Sequence, residues 1–155
     1  MIDLDAVLNA YQASCDCLKI VDDLLTKSRK SATFHNTIFF NKSLDEARHL
    51  LICSKEEMAD STIVSLLAAF ERVIFHYPKS SLQTRASNKE GYSGLKESIK
   101  HFKSQISPRT YTDAERLCSY RDWAAHGKRW EKPSAADPIN THKCLTDFMH
   151  QAGLK

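Results

Sequence analysis

Apolar residues recur every three or four positions through most of the chain. Leu4, Leu8, Tyr11, Cys15, Leu18, Val21 and Leu25 keep that spacing, which predicts a helix from Asp3 to Lys27 with one stripe turned toward a bundle. A polar linker, SRKSATFHNT, follows and ends in IFF. Ser43 with Glu46 fits a capping box that opens a second helical region. Ser54 with Glu57 repeats the pattern, so a break near Cys53–Ser54 is expected there. The stretch STIVSLLAAFERVIFHY then places apolar side chains on most of the helix surface, which marks the most buried helix of the fold. Pro78 ends it.

Residues 78–93, PKSSLQTRASNKEGYS, read as a long, mobile loop. A third helix is expected from Gly94 to Ile106 on the stripe Leu95, Ile99, Phe102 and Ile106, and SPRTYT reads as a turn. A fourth should run from Thr112 to His126, capped by Thr112 with Glu115, with Gly127 at the position after the helix where φ is often positive. The last should run from Pro138 to Gln151, with Asp137 as its N-cap. No alternating strand pattern, internal repeat or low-complexity tract interrupts this series. The fold class expected is all-α, a single domain built as an up-and-down bundle of four to five helices.

Composition narrows the classes. The chain has 155 residues, 42% hydrophobic and 26% charged, enough for one compact domain with its own core. Four Gly and four Pro are too few for the tight turns of an all-β fold. No apolar run approaches the roughly 18 residues that span a bilayer, and the acidic, amphipathic start MIDLDAVLNAYQ is unlike a signal peptide. A cytoplasmic protein without a membrane partner is expected. The five cysteines, at 15, 17, 53, 118 and 144, suit reduced thiols better than a disulfide framework. His142 and Cys144 lack a second pair at zinc spacing. No metal or other cofactor is expected. The net charge is only +3, yet residues 85–133 carry eleven Lys/Arg against six Asp/Glu. That segment suits an anionic partner, and equally an unevenly charged solvated surface.

Candidate chemistry lies within it, in CSYRDWAAHGKRW, Cys118 to Trp130. Arg121 and His126 are about 140° apart around an ideal helix. Asp122 and His126 share a face at i and i+4. An Asp beside an imidazole can fix its tautomer, and the long Arg121 side chain can swing toward the same anion. A guanidinium with an oriented imidazole suits phosphodiester cleavage, one stabilising the charged transition state and the other moving a proton. A His at a helix C-terminus also satisfies the helix dipole without any chemistry. The bare spacing carries little by itself, because Arg29 and His35 repeat it in a linker, without the acid.

The longer string Arg121-Asp122-Trp123-Ala124-Ala125-His126-Gly127, followed by Lys128, Arg129 and Trp130, resembles the signature of the HEPN superfamily of small all-α domains. Its specific part covers about ten residues, late in the chain. The resemblance implies a metal-independent endoribonuclease, of the kind found among toxins and defence effectors, acting as a homodimer with a composite site at the interface. Arg121 would hold the scissile phosphate, and His126 would transfer a proton as the ribose 2′-OH attacks. Asp122 would position either of them. Products would be a 2′,3′-cyclic phosphate and a 5′-OH, and DNA would be spared. RNA would be the substrate, with Lys128, Arg129 and Trp130 as its binding residues, and the resemblance leaves room for an antitoxin or defence-system partner. Some toxin members carry a Tyr two residues after the His; here that position is Lys128, which argues against silencing through such a Tyr. The alternative is a non-catalytic HEPN-like module that binds RNA, a nucleotide or a protein.

Glu71 stands out as a carboxylate within the most apolar helix. It can support Arg121 or His126 from behind, or pair with Arg72 or a neighbouring helix. Trp123 and Trp130 can stack on bases or fill core and interface, with Trp123 the better core candidate.

Overall fold

The computed structural model describes residues 3–27, 34–76, 94–127, 131, 133–134 and 136–154. Their secondary structure is helical, without strands, in five helices: α1 Leu4–Lys27, α2 Leu44–His76, α3 Leu95–Lys100, α4 Pro108–Ala125 and α5 Pro138–Gln151. The fold is an all-α bundle. Among the described residues no helix is long and apolar enough to cross a membrane. The loop expected at residues 78–93 lies outside the described residues.

Helix α2 departs from the sequence pattern most. It runs unbroken for 33 residues, about 50 Å at 1.5 Å per residue. The Ser43–Glu46 capping box forms, with Glu46 N–H donating to Ser43 Oγ at 3.1 Å and Ser43 N–H to Glu46 Oε2 at 2.6 Å. The second box at Ser54 is unused. No Gly or Pro interrupts residues 44–76, and Lys55, Glu56 and Glu57 propagate a helix well. Further on, Thr62 and Ser65 turn their hydroxyls back onto the carbonyls of Met58 and Ser61, so these polar residues sit in the helix without breaking it.

Helix α4 starts one turn earlier than expected. Ser107 is its N-cap, its Oγ accepting from Thr110 N–H at 3.2 Å, and Pro108 sits at the first helical position, where its missing N–H is harmless. Thr112 is inside the helix, donating back to the Pro108 carbonyl, and Glu115 accepts from the Tyr111 hydroxyl instead of closing a box. SPRTYT is therefore cap and first turn. Helix α3 is shorter than its stripe: residues 101–106 continue as turns with three-residue bonds such as Phe102 N–H to Ile99 C=O. They still bury Phe102 and Ile106. Helix α5 has the expected bounds, with Asp137 Oδ1 accepting from Asn140 N–H.

The main core joins Ile63, Leu66, Leu67 and Phe70 of α2 to Leu95 and Ile99 of α3, Leu117 and Trp123 of α4, and Leu145 and Phe148 of α5. The Phe148 ring meets Phe70 and Phe102 edge-on, at centroid distances of 5.1 and 5.7 Å. A smaller cluster of Leu25, Phe34, Ala47 and Leu51 closes the other end of the α1–α2 pair. Between the two, most of the α1 stripe is half-buried, so α1 covers one side of α2. His142 on α5 ties down the first turn of α1, with Nε2 2.7 Å from Asp5 Oδ1.

The reassigned start of α4 has a measurable consequence. Ser107→Ala should lower stability by about 1 kcal/mol in urea unfolding, the usual loss for an N-cap hydroxyl. Thr112→Ala should change it by no more than about 0.5 kcal/mol. The reverse ranking would place the cap at Thr112.

Candidate active site

Helix α4 carries the candidate residues, and α2 holds α4 in place. Two consecutive α4 side chains grip α2 at separate points. The Tyr120 hydroxyl donates to Asp60 Oδ1 at 2.6 Å, in a buried contact. Arg121 Nη1 lies 3.4 Å from Glu71 Oε2. Asp60 and Glu71 are eleven positions apart, about 16 Å of helix rise, so the two side chains diverge to reach α2 three turns apart. Trp123 is buried against Tyr120, with ring centroids 5.3 Å apart, which makes it core.

Arg121 is held from two sides. Besides Glu71, it donates from Nε and Nη2 to Asp122 Oδ1 at 3.1 and 2.9 Å. Its side chain is 20% exposed. Burial opposes its charge, but the Asp122 and Glu71 carboxylates outweigh that and hold the guanidinium above its usual range. It is a fixed cation with a narrow opening to solvent. The carboxylate of Asp122 thus meets its sequence neighbour. The i, i+4 relation with His126 is carried by the backbone, where His126 N–H donates to the Asp122 carbonyl at 3.1 Å.

His126 is the exposed C-cap of α4, with φ −92° and ψ 19°. Gly127 follows at φ +76°, a left-handed conformation that costs other residues strain, so the glycine ends the helix as expected and leaves the imidazole at its rim. Lys128, Arg129 and Trp130 lie outside the described residues, as does Arg29 of the second Arg–His pair. His35 of that pair is exposed beside Asn36 and Phe40, in the connection between α1 and α2.

Cys118 sits one turn before Arg121. Burial pushes its thiol up to about 12, and the charges of Arg121, Asp122, Lys96 and Glu71 all reach it. Near neutral pH it is a protonated core residue and no nucleophile. Lys96 of α3 is thus among the charges felt at Cys118. Among the described residues no group of three or more His, Cys, Asp or Glu could hold a metal ion.

Asp60 and Lys96 are absent from the sequence reading. Asp60 leaves a trace there, since it continues the buried α2 stripe of Ile63, Leu67, Phe70 and Ile74 at spacings of three and four. A carboxylate in an apolar stripe needs a buried donor. Lys96 leaves none, being one exposed lysine among many.

No family model, curated protein or solved structure matches the chain. The site therefore rests on its own geometry.

Tyr120→Phe removes a bond to a buried carboxylate and leaves the ring in place. Hydrogen bonds to charged groups contribute roughly 1.5–3 kcal/mol, and a loss of that order is expected in urea unfolding. A loss below about 0.5 kcal/mol would mean that the Asp60–Tyr120 contact does not hold α4 to α2.

Proposed function

We propose that the chain is a metal-independent endoribonuclease of the HEPN type, working as a homodimer in which two copies of the α4 motif meet. The observation that carries this reading is the state of Arg121: a charged, largely buried guanidinium fixed by Glu71 and Asp122, on the helix that ends at an exposed His126. A fixed cation and an exposed imidazole on the same helix are the minimum apparatus for transesterification at phosphorus.

In the mechanism, Arg121 binds the non-bridging oxygens of the scissile phosphate. It stabilises the charge that grows there, at little cost in reorganisation because its orientation is already set. His126 takes the proton from the ribose 2′-OH. The 2′-oxygen attacks phosphorus, the bond to the 5′-oxygen breaks, and the leaving oxygen is protonated by the second copy's imidazole. The products are a 2′,3′-cyclic phosphate and a 5′-OH. Histidine suits both proton steps because its ordinary pKa lies near neutrality. Asp122 acts on Arg121, the partner it touches. The basic excess of residues 85–133, including Lys128 and Arg129, gives RNA a salt-sensitive attraction, and Trp130 offers a stacking surface. A toxin or defence effector acting on cellular RNA is the setting in which such an enzyme fits.

The test is cleavage of single-stranded RNA in excess chelator. General acid–base groups contribute about 10²–10⁴-fold in rate, so His126→Ala should lose activity of that order. Arg121→Ala should lose a similar amount, Asp122→Asn less, and His35→Ala nothing. Undiminished cleavage by His126→Ala, or cleavage only with added Mg²⁺, would refute the mechanism. Tight RNA binding without cleavage by the unaltered protein would favour the non-catalytic RNA-binding module. A strict monomer in solution at micromolar concentration would remove the composite site.

A further inference from the structure

Arg121 is gripped unequally. Asp122 takes two bonds, at 3.1 and 2.9 Å, along the Nε–Nη2 edge. Glu71 makes one contact, at 3.4 Å from Nη1, at the long edge of hydrogen-bonding range. An incoming phosphate oxygen therefore competes with Glu71 before it competes with Asp122. Glu71 belongs to α2, so it stays beside the phosphate after being displaced, and its negative charge still acts on whatever Arg121 holds.

We propose that Glu71 is a specificity-determining residue, a charge filter that lets Arg121 accept the single charge of an internal phosphodiester and disfavours the double charge of a terminal phosphomonoester. The inference rests on Arg121 being the phosphate contact. Coulomb repulsion from Glu71 scales with the ligand's charge. A phosphodiester carries one negative charge, whereas a monoester, with a second pKa of about 6, carries close to two above neutral pH. Asp122, bonded to Arg121, acts on both ligands and is the same whether or not Glu71 is charged, so it leaves the effect of removing Glu71's charge intact. Salt screens the repulsion incompletely, because the Arg121 and Glu71 side chains are only 20% and 30% exposed. The substrate class that follows is an internal linkage of a strand, cut away from phosphate-bearing ends. A 2′,3′-cyclic phosphate product, singly charged, stays compatible with the site, while an opened 3′-monophosphate is expelled.

Glu71→Gln and Glu71→Ala remove the charge with and without keeping the side chain's shape. The probes are thymidylyl-(3′→5′)-thymidine, an internal diester, and thymidine 3′-monophosphate. Neither has a 2′-OH, so neither is consumed. Binding is followed at pH 8 through the Arg121 Nε–Hε signal in NMR, and folding through urea unfolding of each variant. Relief of about fivefold per unit of ligand charge, the upper end for exposed ion pairs, should tighten the diester about fivefold and the monoester about 25-fold in both variants. Weaker binding of both probes, or an unchanged ratio between them in folded variants, would overturn the filter and leave Arg121 as the phosphate contact. If neither probe moves the Arg121 signal in any protein, Arg121 is not that contact, and the filter falls with it.

Discussion

The crossing of α4 over α2 is the constraint on which the remaining structure depends. Its centre is apolar, with Ile63, Leu66, Leu67 and Phe70 facing Leu117 and Trp123 in one core. Its ends are polar. Tyr120 reaches Asp60 at one and Arg121 reaches Glu71 at the other. Apolar packing supplies the driving force but little direction, while the two polar contacts fix where along α2 the next helix sits. A rotation of α4 by one residue, about 100°, would carry both side chains away from their carboxylates and leave Asp60 buried without its hydroxyl. Buried polar pairs of this kind act against alternative packings.

The same crossing gives the candidate site its character. Arg121 belongs mostly to the scaffold, with a minor part open to solvent: its carboxylate partners keep it charged, and its neighbour Tyr120 is 1% exposed. His126, five residues on, stands at the helix end, where Gly127 turns the chain away. A held cation and an exposed imidazole are thus set by one helix, whose start is secured by the Ser107 cap and Pro108. The arrangement keeps the groups a reaction would use on a well-packed element rather than on a loop, which favours accurate positioning.

Much of the fold was legible in the sequence, for a physical reason: helical periodicity is a local signal. The stripe of α1 and the Asp137–Pro138 start of α5 were readable to the residue. The misread points were those where two local signals competed. Ser54–Glu57 imitates a helix start inside α2, and only the absence of Gly or Pro across residues 44–76 shows that the helix continues. Thr112–Glu115 imitates another, while the true cap, Ser107, lies just before Pro108. The shortening of α3 is invisible to its stripe, because the turns that continue it still bury Phe102 and Ile106. In the site, Arg121, Asp122 and His126 were visible as a string. That Asp122 turns to Arg121 and that Glu71 arrives from fifty residues away are matters of packing, beyond any spacing rule. Asp60 was the exception, a long-range partner betrayed by its place in an apolar stripe.

The central claim is that the α4 motif cleaves RNA through the ribose 2′-OH, with Arg121 on the phosphate. Its most direct measurement compares an RNA oligonucleotide with the same oligonucleotide carrying one 2′-deoxy nucleotide on the 5′ side of a mapped cleavage site, both in excess chelator. The expected result is complete loss of cutting at that one position, with neighbouring sites unchanged and 2′,3′-cyclic phosphate and 5′-OH ends on the parent's products. Cutting at the deoxy position at the parent's rate would contradict the account.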